Sequence, residues 1–133
     1  MLLTISNQPL AIWHAALLVA VGGAGGAILR FLLSLVASSF SLKLLWGTLA
    51  ANVIGCLAAG LLLGATRWAS DPQHALRLLV MVGVLGGLTT FSAFSVETVQ
   101  LLQQGRLAPA FANIAINLVL GLGAVWLGMR LTE

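Results

Sequence analysis

Charged residues are scarce in this sequence. Only 7% of its 133 residues are Asp, Glu, Lys or Arg, whereas 60% are hydrophobic. A soluble domain typically carries about 25% charged residues, so the composition excludes that class and indicates a protein whose solvent is the membrane. The net charge of +3 reflects few acids rather than a basic patch, so nucleic acid is not an expected partner.

The side chains of common catalytic and metal sites are also scarce. The chain has one cysteine, Cys56, and two histidines, which excludes an internal disulfide and leaves no cluster at metal-ligand spacing. No Ser, His and Asp set indicates a hydrolase, and the glycine-rich run lacks the lysine of a phosphate-binding loop. We therefore predict that the protein is not an enzyme and that Cys56 is a packing residue.

Long hydrophobic runs dominate the sequence instead. Four of them reach the roughly 20 residues that a helix needs to cross a bilayer, at positions 10–35, 44–66, 73–104 and 107–129. We expect an all-α membrane protein with four transmembrane helices in one domain, residues 1–133. The first run follows no basic residue and is too long for a cleaved signal peptide, so it is predicted to remain as a span. Asp71 and Pro72 suit the start of the third helix.

Small residues recur at helical spacing in three of the runs. Such surfaces let another backbone approach closely. The face on the fourth span also carries two asparagines and is expected to contact protein or water rather than lipid. The positions are Gly22, Gly23 and Gly26 in the first span, Gly47, Ala51, Gly55 and Ala59 in the second, and Asn113, Asn117, Gly121, Ala124 and Gly128 in the fourth.

The third run contains a segment that is poorly suited to continuous helix. Gly86 and Gly87 are followed closely by Thr89 and Thr90, and glycine and β-branched residues both disfavour helix. We predict that this helix is broken in the middle of the membrane. Freed backbone groups are tolerated there only where protein buries them or where they line a wet cavity.

Aromatic and polar residues beside the predicted break indicate an ion site. Phe91, Phe94 and Glu97 follow at steps of three, which predicts one helical stripe. The positive edges of the rings can contact an anion, although ring packing is the alternative. Asn52 can donate N–H to an ion or bind another helix. Arg30 is either an interfacial residue or an anion-attracting charge at a pore mouth.

The basic residues do not favour either orientation in the membrane. The positive-inside rule needs an asymmetry, but one side would hold Arg67, Arg77 and Arg130 and the other Arg30, Lys43 and Arg106. A chain without bias can insert both ways. Two oppositely oriented copies could then pair about an axis in the membrane plane.

Three motifs, in order and spanning nearly the whole chain, resemble those of the small fluoride channels of the Fluc (CrcB) family. The segment from Gly86 to Ser95 is the most specific of the three. The motifs are Gly22-Gly23 through Gly26-Ala27 with Arg30, then Gly47-Thr48-Leu49 with Asn52 and Gly55, then Gly86-Gly87-Leu88-Thr89-Thr90-Phe91-Ser92-Ala93-Phe94-Ser95.

The resemblance implies an antiparallel, dual-topology homodimer in the bacterial inner membrane. Its two pores would export fluoride passively and so protect against fluoride toxicity. The backbone carbonyls of Gly86 and Thr89 would hold a structural sodium ion (Na+) at the dimer axis. The implied fluoride pathway comprises Asn52, Phe91, Phe94, Thr90, Ser95, Arg30, Glu97 and Asn117.

The sequence departs from the family pattern at two places. Ala93 replaces a threonine of the usual motif, and Asn113 and Asn117 stand where the family commonly has Tyr and Ser. The two alternative functions are a small multidrug exporter and an accessory membrane subunit. A small dual-topology multidrug exporter needs a carboxylate in the first span, which has none, and an accessory membrane subunit does not require the broken third span.

Overall fold

Every long element of the protein is a helix. The computed structural model describes residues 9–39, 44–65 and 75–132. The third membrane-length span, called here the third rod, consists of the helices α3 and α4. Helix α3 has three consecutive helical segments. The elements are α1 (Pro9–Ser39), α2 (Leu44–Gly64), α3 (Ala75–Arg77, the π-helical Leu78–Leu85, and Gly86–Leu88), α4 (Phe91–Gln103) and α5 (Leu107–Thr132).

Within the described residues, four stretches are long and apolar enough to cross a membrane. They are Ile12–Ser39, Trp46–Gly64, Ala75–Gln103 and Leu107–Thr132. The prediction of an all-α protein with four spans is therefore confirmed. The predicted helix cap at Asp71 and Pro72, and Arg67 beside it, lie outside the described residues.

The helices leave much apolar surface uncovered. Trp13 is 73% exposed, Leu122 is 71% exposed and Val119 is 69% exposed. Among the described residues, Ala51, Leu85 and Leu88 form a buried core cluster, against which leucines and alanines pack. An exposed apolar surface of this kind suits lipid or another membrane-embedded protein rather than water.

Helix α1 packs against α3 through glycine. A Cβ on Gly22 would overlap the carbonyl oxygen of Leu79, and one on Gly26 would overlap the carbonyl oxygen of Val84. Only a residue without a side chain permits this backbone-to-backbone contact. The predicted close approach at the glycine-rich surface of the first span is therefore confirmed.

Helices α2 and α5 pack closely by the same means. A Cβ on Gly60 would overlap the carbonyl oxygen of Val125, and one on Gly128 would lie 2.5 Å from the carbonyl oxygen of Leu57. Asn113 and Gly121, like Gly128, are buried. The small, polar face of the fourth span therefore contacts protein, as predicted.

The rod formed by α3 and α4 is interrupted at two threonines. Thr89 (φ −78°, ψ 149°) and Thr90 (φ −151°, ψ 115°) are extended. Gly86 and Gly87 remain helical, and a Cβ on Gly87 would overlap the carbonyl oxygen of Gly23. Gly87 thus serves packing, whereas the β-branched threonines, which favour extended backbone, make the interruption.

Candidate functional site

The interruption is held in place by the side chain of Asn52. The Thr90 N–H donates to Asn52 Oδ1 at 2.8 Å, and Asn52 Nδ2 donates to the Thr90 carbonyl at 3.4 Å. In a continuous helix the Thr90 N–H would donate to the carbonyl of Gly86. Asn52 Oδ1 therefore takes the place of the Gly86 carbonyl as the acceptor. This contact matches the alternative in which Asn52 binds another helix.

Amide side chains extend this contact across three helices. Asn52 Nδ2 donates to Asn117 Oδ1 at 3.2 Å, and Asn117 Nδ2 donates to Asn113 Oδ1 at 3.0 Å. Asn113 Nδ2 donates to Thr98 Oγ1 at 2.9 Å, and that hydroxyl donates to the Phe94 carbonyl at 2.8 Å. Polar groups away from water need such partners, and here they obtain them from one another.

Helix α4 begins directly after the interruption and faces a cavity of about 360 Å³. Thr90 caps this helix, since its Oγ1 accepts from the Ala93 N–H at 3.2 Å. The N-terminal end of a helix carries partial positive charge, and the Arg30 guanidinium adds a full one. The cavity is lined by Arg30, Thr90, Ser92, Ala93, Val96, Glu97 and Gln100.

Glu97 is the buried acid beside this cavity. Its side chain is 6% exposed. Thr48 Oγ1 donates to Glu97 Oε1, while Oε2 has no hydrogen-bond partner among the residues that the structure describes. An unsatisfied buried oxygen is rare in folded proteins, which sets this carboxyl apart from the other polar groups of the site.

The two phenylalanine rings line a second cavity, of about 440 Å³. The ring centroids of Phe91 and Phe94 are 5.4 Å apart and the ring planes are tilted by 53°. Phe94 is 9% exposed and Phe91 is 77% exposed. The second cavity is lined by Phe91, Phe94, Ser95, Thr98, Val99, Ile114 and Leu118.

The Ser95 hydroxyl in this cavity is already engaged within its own helix. Ser95 Oγ donates to the Phe91 carbonyl at 2.8 Å. Its oxygen lone pairs remain available, but its proton would have to leave this bond to reach an anion. Of the pathway hydroxyls predicted from the sequence, Ser95 thus lies beside the rings and Thr90 lies beside the first cavity.

Glu97 does not share the face of the two rings, contrary to the predicted single stripe. It lines the first cavity, whereas Phe91 and Phe94 line the second. A helix turns about 100° per residue, so each step of three drifts by about 60°, and Glu97 lies about 120° from Phe91 around the axis. The structure therefore divides the predicted residues between two faces of α4.

The backbone oxygens predicted to bind sodium lie on either side of Leu88. Gly86 is exposed, and apart from its chain neighbours and its own helix backbone no described heavy atom lies within 4 Å of the position that its Cβ would occupy. The described residues contain no group of three or more His, Cys, Asp or Glu side chains that could hold a metal.

Three residues of the site are not among the pathway residues predicted from the sequence. Thr48 contacts Glu97, and Asn113 contacts Thr98. The four-residue spacing of Thr48 and Asn52 places them on one helical face, so the sequence offered that signal. Thr98 carried no signal beyond being a hydroxyl within a span, because its partner lies on a different helix.

Comparison with known proteins identifies a family. Residues 17–129 match the model described as CrcB-like protein, Camphor Resistance (CrcB). A Shewanella loihica protein named fluoride-specific ion channel FluC is 46% identical over 114 residues, covering 85% of this chain and 91% of the relative. A Methylobacillus flagellatus protein of the same name is 40% identical over 124 residues, covering 90% of this chain and 95% of the relative.

Proposed function

This chain belongs to the CrcB family, and we propose that it is a fluoride-specific channel through which fluoride leaves the bacterial cytoplasm passively across the inner membrane, which protects the cell from fluoride. The observation that carries the proposal is the interruption at Thr89 and Thr90. It exposes a helix N-terminus, which attracts anions, directly beside an aromatic pair. The family relatives bear the same function in their names.

The proposed path uses groups that can replace the water around an anion. Arg30 attracts the ion to the first cavity, which is large enough to hold several waters. Beyond it Asn52 donates N–H, and the edges of Phe91 and Phe94 provide partial positive charge. The further pathway residues are the hydroxyl residues Thr90 and Ser95, Glu97, and Asn117 in the fourth span.

We place two oppositely oriented copies in the functional unit. The basic residues divide equally between the two sides of the membrane, which gives no preferred orientation. Phe91, a pathway ring, is 77% exposed in one chain. A dehydrated anion needs an enclosed site, and a second chain packed on this face would enclose the ring.

We place the interruption at mid-membrane depth in the proposed dimer. A sodium ion bound there would join the two copies. The Thr90 N–H donates to Asn52, so it does not satisfy the Gly86 carbonyl. Carbonyls from Gly86 and Thr89 of both copies are oxygen ligands of the kind that hard cations prefer. When bound, the ion would supply positive charge that neutralises these carbonyl dipoles.

Removing sodium from the purified protein should convert dimers to monomers, which light scattering would detect. Dimers that persist would contradict the assignment of sodium to this site.

Fluoride efflux from liposomes containing the purified protein tests the proposed function. The expected result is rapid loss of trapped fluoride without a proton gradient, measured with a fluoride electrode, and no comparable loss of chloride. A multidrug exporter would move lipophilic cations instead, and an accessory subunit would move nothing. Liposomes that retain their fluoride would refute the proposal.

A further inference from the structure

Five hydrogen bonds form a directed series that starts at the Thr90 N–H. Each group donates to the next, so that the four side chains between the two backbone ends are both donors and acceptors. Bonds aligned in this way polarise one another and become stronger together. In order, the donors and acceptors are Thr90 N–H to Asn52, Asn52 to Asn117, Asn117 to Asn113, Asn113 to Thr98, and Thr98 to the Phe94 carbonyl. We call this set the amide relay.

Both ends of the amide relay lie on the first turns of α4. It begins at the backbone of Thr90, which caps the helix, and ends at the backbone carbonyl of Phe94. Between these points it passes through α2 and α5. The relay therefore braces the part of α4 that carries the rings against two other helices.

The two N–H groups of Asn52 are held with different strength. The bond to Asn117 Oδ1 is 3.2 Å long and the bond to the Thr90 carbonyl is 3.4 Å long. N–H···O bonds are normally 2.7–3.2 Å, so the bond to Thr90 is the weaker. An ion at the interruption would therefore displace the Thr90 carbonyl from its Asn52 N–H at a smaller cost in hydrogen-bond energy than it would displace Asn117.

Asn117 has little capacity to donate to an ion itself. Its Nδ2 donates to both the carbonyl and the side-chain oxygen of Asn113, each at 3.0 Å. Its Oδ1 accepts from Asn52 and, being an acceptor, would repel an anion. The amide nitrogen and oxygen of Asn117 thus both form hydrogen bonds with Asn113 and Asn52.

From this arrangement we infer that Asn117 is a positioning residue, which acts on fluoride through Asn52. Asn117 fixes the rotation of the Asn52 amide, so that one N–H is engaged and the other faces the ion. Asn113 and Thr98 fix Asn117 in turn. The inference rests on the proposed function, in which Asn52 donates to fluoride.

A double-mutant cycle tests the positioning role. The proteins are the wild type, Asn117→Leu, Asn52→Ala and the double variant, compared by initial fluoride efflux per dimer. Asn117→Leu keeps the size of the side chain and removes its hydrogen bonds, and it should lower efflux about tenfold. In the Asn52→Ala background the same change should have no further effect, because its target is gone. Val119→Leu, on an outward position of α5, is the matched control and should conduct normally.

The outcomes separate this inference from the proposed function. Absence of fluoride efflux from the wild type would refute the function itself. If the wild type conducts, unchanged efflux in Asn117→Leu would overturn the positioning role, and so would a full additional loss in the double variant. If Asn117→Leu does not fold, Thr98→Val replaces it, because it keeps the shape and removes the last donor. Thr98→Val should lower efflux about threefold, and unchanged efflux would overturn the relay.

Discussion

Asn52 combines two tasks that the sequence presents as alternatives. Its Oδ1 accepts from the Thr90 N–H and its Nδ2 donates to Asn117. The first contact stabilises the extended backbone after Thr89. The second leaves an N–H facing the same place. At the scale of the residue, one amide thus bonds two other helices and also carries the N–H that is proposed to donate to fluoride.

Asn52→Asp separates these two tasks. The carboxylate keeps an acceptor for the Thr90 N–H, but it loses both donors and places negative charge beside the path. We expect a folded dimer with fluoride efflux at least tenfold lower, because like charges repel strongly in a poorly screened site. Efflux and size-exclusion chromatography measure the two effects. Normal efflux would show that the amide N–H groups do not contact fluoride.

Phe94 and Phe91 make different contributions despite their adjacent rings. Phe94 is 9% exposed and packed, whereas Phe91 is 77% exposed. Phe94→Ile retains apolar volume but removes the ring edge, so efflux should fall about tenfold or more while the dimer persists. Phe91→Leu should leave the stability of a single chain unchanged, since one chain barely buries it. Normal efflux in Phe94→Ile would remove the ring from the mechanism.

At the scale of the elements, glycines and threonines have separate roles in the third span. Gly83 and Gly87 permit contact with α1, where a Cβ would meet Gly22 and Gly23 respectively. Thr89 and Thr90 carry the interruption, and Thr90 then caps α4. The helix pair α1 and α3 is thus a rigid support on which the start of α4 is positioned.

Gly26→Ala tests this close contact. A Cβ at Gly26 would overlap the Val84 carbonyl, whereas a Cβ at Gly25 would have no neighbour within 4 Å. Gly26→Ala should therefore destabilise the protein by about 1–3 kcal/mol, since the backbones must separate. Gly25→Ala, the matched control, should be neutral or slightly stabilising in a helix. Thermal unfolding in detergent measures both, and equal midpoints would show that α1 and α3 do not pack this closely.

At the scale of the whole molecule, one chain leaves its most informative groups incomplete. The Phe91 ring is largely exposed, the surroundings of Gly86 are open, and Glu97 Oε2 has no hydrogen-bond partner within the described residues. In the proposed dimer, a second copy packed against the first would cover all three features.

Dual insertion is the corresponding prediction. A C-terminal tag should be accessible from both sides of the membrane in roughly equal amounts, because three basic residues lie on each side. Protease protection in inverted and right-side-out vesicles measures this ratio. Adding two lysines to one terminus should shift the ratio towards the orientation with that terminus inside. A tag found on one side alone in the wild type would contradict the antiparallel dimer.

The sequence by itself determined the membrane class, the four spans and the glycine surfaces, because these depend on the length of apolar runs and on helical spacing within one segment. It also located the interruption, since two threonines following two glycines disfavour helix wherever they lie. Only the tertiary structure decided that Glu97 meets Thr48, and that Asn52, Asn117, Asn113 and Thr98 form one relay. These contacts join residues on different helices, and their geometry depends on how α2, α4 and α5 pack. Local spacing constrains which face a residue occupies, whereas the neighbour that it meets there depends on the position of another helix.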